Sequence, residues 1–212
     1  KKILLILLVS FSVLAISMSF YFYQVFFSPN TLPESEQPYY LKIPTNSVYK
    51  NVADKLYDER VINDALSFGF VAKALGYQEA VKPGLYKIDP KMSNLELVRM
   101  LRSGAQTPVK VTFNNVRTKE DLAEKITANL EVSETQFLEL LQDSVYIRKF
   151  EFEEESLLGM FIPNTYELWW NTSAEGLFDR MYKEYQKFWT DERKQKAQAL
   201  GLTQNEVSTL AS

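Results

Sequence analysis

Asn164, Thr165, Tyr166 and Glu167 follow Pro163 without a break, lining up an amide, a hydroxyl, a phenol and a carboxylate. These are the residue types on which chemistry here must rest, because the chain has neither histidine nor cysteine. Ser-His-Asp triads, Cys-His dyads, thiolate redox centres and the usual zinc sites are thereby excluded. Carboxylates, Lys, Tyr, Ser and Thr remain. Pro-Asn is common turn chemistry, and Tyr166, Leu168 and Trp170 alternate as the buried face of a strand would. By residue type alone the run reads as a turn entering a strand, with Tyr166 as a core aromatic. Glu167 is not read as a general acid, since nothing near it in sequence would raise its pKa.

The elements that must position this run begin with an anchor. The chain has 212 residues and a net charge of -3, from 24 basic and 27 acidic side chains. No block of like charges supports nucleic-acid binding. The absence of cysteine neither implies nor excludes an oxidising compartment. Ile3 to Phe27 carries no charged side chain, which exceeds the roughly 20 residues that span hydrocarbon. Lys1 and Lys2 precede it, so the C-terminal part is expected outside the cytoplasm. Phe20 to Tyr23 supply an aromatic belt. The apolar run is too long for the core of a cleaved signal peptide, and 1–28 is read as a retained transmembrane anchor. Residues 29–39, with Pro29, Pro33 and Pro38, are read as a linker lifting the rest off the membrane.

Beyond the linker the expected class is α+β. Tyr40 to Ile43 is a strand candidate ended by Pro44. Ser47 is placed to cap a helix carrying Val48, Val52 and Leu56. Val61 to Asp64 is a turn, and Ala65 to Leu75 a second helix closed by Gly76. Pro83-Gly84 turns into a strand over Leu85 to Ile88. Ser93 and Glu96 form a capping box for a helix ending at Gly104, and Val109 to Phe113 is a further strand. Strand–helix–helix–strand is the order of a LysM-like module, assigned to 40–113. It is either a glycan-contacting unit or a structural spacer.

From Thr118 the chain reads as mostly helical, with Thr118 as a cap above Leu122, Ile126 and Leu130. Ser133 and Gln136 form a second capping box. Glu151 to Glu155 is an acidic solvated loop holding Phe152. Ser173 opens a long amphipathic helix through Leu177, Met181, Tyr185 and Trp189. A polar helix from Asp191 to Leu200 ends at Gly201. Thr203 and Glu206 cap one more helix with Val207 and Leu210 as its core residues. Its shortness predicts that the protein continues beyond Ser212.

The combined layout resembles the endolytic murein transglycosylase family (YceG-like), membrane-anchored enzymes that cut nascent peptidoglycan strands. The resemblance covers nearly the whole chain. It rests on the anchor, the LysM-like module with Val81-Lys82-Pro83-Gly84-Leu85-Tyr86, the stretch Leu97 to Gly104, and above all the Gly-x-x-x-Pro-x-Thr-Tyr signature. Gly159, Pro163, Thr165 and Tyr166 match that signature, whereas Leu158 and Asn164 stand where the family has Glu and Asp. The resemblance makes 114–212 the first part of the catalytic domain. It implies no catalytic residue within this chain, because the family's acid follows an Ala-Ser-hydrophobic-hydrophobic stretch that begins at Ala211-Ser212. It also implies Asn164, Thr165, Tyr166 and Glu167 as sugar-binding cleft residues, hydrogen-bonding and stacking on glycan. The implied chemistry needs no cofactor and no metal. One Glu protonates the glycosidic oxygen and then deprotonates the sugar's 6-hydroxyl, which closes on C1 to give a 1,6-anhydro end.

The expected protein is therefore a single-pass lytic transglycosylase of the bacterial cytoplasmic membrane, its bulk periplasmic. Its partners would be glycan strands, the bilayer and cell-wall synthesis proteins, with no nucleic acid; the fragment alone is expected to be inactive. Two rivals are a tethered glycan-binding scaffold without activity, and a membrane-anchored chaperone-like or secretion-accessory protein.

Overall fold

In a computed structural model the chain divides into two units, Lys1–Thr107 and Pro108–Ser212, and the structure describes residues 1–32, 35–114 and 116–211. Pro33 and Ser212, and the side chains of Leu210 and Ala211, to which expectations were attached above, lie outside the described residues.

The first unit opens with α1 (Lys2–Phe27), long and apolar enough to cross a membrane; a signal sequence would pass the same test. Its apolar side chains go all round and stand exposed, except that Val25 is buried in the unit's core and Phe26 is half-buried against it. Then come β1 (Tyr39–Ile43), α2 (Tyr49–Asp58), α3 (Ala65–Ala74), a 3-10 turn at Tyr77–Glu79, β2 (Gly84–Ile88) and α4 (Asn94–Ser103). β1 and β2 pair antiparallel with Leu41 opposite Tyr86. One face of the ribbon, with Leu41, Ile43, Tyr86 and Ile88, closes on Val52 and Leu56 of α2, Phe68 and Val71 of α3, and Leu97 and Leu101 of α4. The period-2 and period-3.6 apolar patterns meet in one core. The capping box of α4 forms as read, with Ser93 Oγ accepting from Glu96 N and the Glu96 carboxylate accepting from Ser93 N. Gly104, at φ 77°, ends the helix in the left-handed conformation that suits glycine.

Three readings need correction. Ser47 does not cap α2: its N–H closes a turn on Pro44 O at 3.1 Å. The N-cap is Val48, whose side chain makes no capping bond and stays exposed. The start of the 29–39 linker is not a free tether either. Asn30 and Thr31 are buried, and Thr31 Oγ1 donates to Asp89 O at 2.8 Å while accepting from Met92 N at 2.7 Å. Asn30 Nδ2 donates to Asn94 Oδ1 at 2.7 Å, and its own Oδ1 accepts from Asp64 N at 2.7 Å. Asn94 Nδ2 in turn donates to Val25 O and Ser67 Oγ, both at 2.9 Å. Polar residues that look solvated in sequence are satisfied inside, as buried polar groups must be. Finally, the strand at Val109–Phe113 does not belong to the first module; its partner lies in the second unit.

The second unit consists of β3 (Val109–Phe113), α5 (Lys119–Thr127), α6 (Glu134–Gln142), α7 (Ser144–Arg148), a 3-10 turn at Leu157–Met160, β4 (Asn164–Leu168), α8 (Ala174–Phe188), α9 (Asp191–Ala199) and α10 (Gln204–Ala211). Thr118, Ser133, Ser173 and Thr203 cap their helices as the sequence suggests. Leu177, Met181 and Tyr185 are buried along one side of α8 and Trp189 at its C-cap, with Leu122, Ile126, Phe137 and Phe161 in the same core. Within the acidic stretch, Glu151 and Glu153 to Glu155 are exposed and Phe152 is buried against Tyr185.

Candidate functional site

The signature run forms β4, paired antiparallel with β3 so that Thr112 faces Thr165 and Lys110 faces Glu167. Strand alternation sorts the residues into two faces. Thr165 and Glu167 stand on the exposed face with Lys110 and Thr112, and the Thr112 and Thr165 hydroxyls are hydrogen-bonded at 2.7 Å. Asn164 is exposed at the strand's start, its Oδ1 accepting from Thr165 N at 2.7 Å. Tyr166 points the other way: its ring is buried, stacked on Phe113 at 5.5 Å, and its hydroxyl donates to Ile162 O at 2.5 Å. Burial, with the Glu184 charge adding to it, pushes the phenol up to about 12. The strand reading describes Tyr166, and this placement leaves no free ring face for a sugar. Thr165 and Glu167 thus share the open face of the ribbon, Asn164 is exposed at its entry, opposite the buried Phe113, and Tyr166 holds the strand onto the core.

Beside the ribbon lies a recess of about 440 Å³ lined by Pro108, Glu167, Trp169, Thr172, Gly176 and Arg180. Trp169 is 52% exposed. Sequence reasoning passed over it, although its signal was present: with Tyr166, Leu168 and Trp170 inward, Trp169 must face out. An exposed indole beside a carboxylate and a guanidinium offers what a polyhydroxylated ligand needs, namely an apolar face and directional hydrogen-bonding groups. A larger recess of about 810 Å³, lined in part by Tyr182, Tyr185, Gln186 and Trp189, holds none of the expected residues. Among the described residues no cluster of three or more Asp or Glu is arranged to hold a metal.

Gly159, at the turn before Pro163, has a local physical role. A Cβ there would lie 2.9 Å from Ser208 Cβ on α10, closer than real carbon atoms pack. Glycine lets α10 rest directly on the Leu157–Met160 turn. Tyr185 Oη holds the same helix from α8 by donating to Asn205 Oδ1 at 2.9 Å. The Gly–x–x–x–Pro spacing therefore joins the seat of α10 to the entry of β4. An apolar pocket of about 320 Å³ opens at this junction, lined in part by Leu158, Gly159, Pro163 and Val207. Leu158 stands there half-buried.

The YceG-like family model matches residues 41–212. The chain belongs to the YceG-like family. Among solved structures, a yceG-like protein of Listeria monocytogenes is similar over 79% of this chain and 60% of its own, at 21% identity and a TM-score of 0.42. The chain thus spans 60% of the length of that relative. No curated protein matches the chain.

Proposed function

We propose that the whole protein is an endolytic peptidoglycan lytic transglycosylase, anchored by α1 in the bacterial cytoplasmic membrane with both units outside the cytoplasm. The observation that carries this is membership of the YceG-like family over residues 41–212, a family of murein transglycosylases. The exposed Asn164, Thr165 and Glu167 bind glycan by hydrogen bonds, and Trp169 supplies the stacking surface that Tyr166 does not. The proton-transferring Glu is the one that the family carries after the Ala-Ser stretch, here beginning at Ala211-Ser212. α10, which runs to Ala211, is seated on Gly159 in the turn that leads into β4, which supports placing the acid near the ribbon. The first unit, with its strand–helix–helix–strand order and antiparallel ribbon, serves as a LysM-like module. Cell-wall synthesis proteins are its natural neighbours at the membrane.

The whole protein, incubated with uncrosslinked nascent glycan, should release fragments ending in 1,6-anhydro sugars. Thr165→Ala and Trp169→Ala should weaken glycan binding severalfold while leaving folding intact. Failure of the wild-type protein to release anhydro ends would overturn the reading. A second reading, a tethered glycan-binding scaffold, is favoured by Leu158 and Asn164, where the family has carboxylates. It expects glycan binding without cleavage, and an encoding gene that does not continue past Ser212 into the family's Glu.

A further inference from the structure

α3 is a ten-residue helix whose sequence is unusually apolar for one that reaches the surface, Ala-Leu-Ser-Phe-Gly-Phe-Val-Ala-Lys-Ala. Its inner face is satisfied by Phe68, Val71 and Ala72, all buried. Its outer face carries Leu66, 88% exposed, Phe70, 50% exposed, and Lys73. These fall at i, i+4 and i+7, one stripe along the helix. Two large apolar side chains ending in a cation are not what an aqueous helix face calls for.

The position of this stripe is set by α1. Phe70 packs on Phe22 and Phe26, with ring centroids 6.1 Å apart in each case. Ser67, next to Leu66, is joined to the same region, because Asn94 Nδ2 bonds both Ser67 Oγ and Val25 O at 2.9 Å. Both parts of the apolar stretch of α3 therefore sit at the level of residues 22–26 of α1. The charge-free run starts at Ile3, and about 20 residues at 1.5 Å each cross about 30 Å of hydrocarbon. The far hydrocarbon boundary then falls near Phe22, and residues 23–27 lie in the headgroup region. The stripe on α3 is thus held at the membrane–water boundary by contacts within a single unit. We infer that α3 is a second membrane-contacting element, lying against the outer leaflet with Leu66 and Phe70 in the acyl–headgroup boundary and Lys73 reaching up to lipid phosphate. Such placement is where an apolar face, an aromatic ring and a snorkelling lysine are each favoured. This rests on the reading of α1 as a membrane span.

The absence of cysteine makes the test direct. Single variants Leu66→Cys, Phe70→Cys, Leu14→Cys on α1 and Asp58→Cys on α2 are labelled with an environment-sensitive fluorophore. Each is reconstituted in phosphatidylcholine–phosphatidylglycerol vesicles carrying nitroxides at shallow or deep acyl positions. Leu66 is so exposed that its replacement cannot unfold the helix, so its label stands even if that at Phe70 perturbs packing. The expected result is a blue shift at Leu66 and Phe70 relative to Asp58, with loss of most emission to the shallow nitroxide. The Leu14 label should be lost to the deep one. Labels at Leu66 and Phe70 that match Asp58, with Leu14 still quenched, overturn the inference and leave the anchor standing. A Leu14 label that no nitroxide touches overturns the anchor reading and the inference with it.

Discussion

The two units use the same polar residue types in opposite ways. In the first, Asn30, Thr31 and Asn94 are buried and bonded to one another or to backbone. In the second, Thr112 and Thr165 lie open on the face of a ribbon, and Asn164 is exposed at its entry. Both sets contain short hydrogen bonds, 2.7 Å between Asn30 and Asn94 and 2.7 Å between Thr112 and Thr165. What differs is the alternative open to each group. A buried amide that loses its partner has none, whereas an exposed hydroxyl takes water. The buried set therefore serves architecture, and the exposed set is free to meet a ligand.

The sharpest way to break this contrast is Asn94→Leu. It orphans the Val25 carbonyl and one Asn30 N–H, and should cost about 3 kcal/mol by the penalty for unsatisfied buried groups. Urea unfolding followed by circular dichroism reads it. Thr165→Ala, its counterpart on the ribbon, should stay within about 0.5 kcal/mol of wild type. Equal losses in the two variants would erase the distinction. Next comes Gly159→Ala, which forces the Leu157–Met160 turn off α10 and should cost about 2 kcal/mol as overpacking. Adding Ser208→Gly should restore most of it; if it does not, the close approach is not the cause. Tyr166→Phe removes only the bond to Ile162 O, leaves the ring on Phe113, and should cost about 1 kcal/mol, seen as a lowered Tm.

The smallest effect is a pH dependence in the first unit. Hydrogen bonds from the Ser93 backbone N–H and then its hydroxyl hold the Glu96 carboxyl below its ordinary value of 4.5. A carboxyl depressed in the folded state stabilises above its unfolded pKa and ceases to as pH falls through the folded one. Thermal stability should therefore drop slightly as the pH goes below 4.5, and the Glu96→Gln variant should show less of that drop.

What was legible in sequence was local. Ser93 with Glu96, Ser133 with Gln136 and Thr203 with Glu206 lie three residues apart, and their capping bonds need no information from elsewhere. The inward turn of Tyr166 and the outward turn of Trp169 follow from strand alternation alone. What was not legible was long-range polar pairing. Asn30 reads as linker until Asn94 comes to meet it, and no periodicity marks that meeting. The same holds for β3, whose partner arrives only after three intervening helices. In the site, side-chain facing was readable, but the recess beside Trp169 needed Pro108 and Arg180 brought together from distant parts of the chain.

The bond from Asn94 to the Val25 carbonyl removes a swivel. A folded head on a loose tether turns independently of its stalk and sweeps a hemisphere. Here stalk and head share one core, so any roll of α1 about its long axis is a roll of the first unit, and the compass bearing of the β1–β2 ribbon is set by the helix rather than by chance.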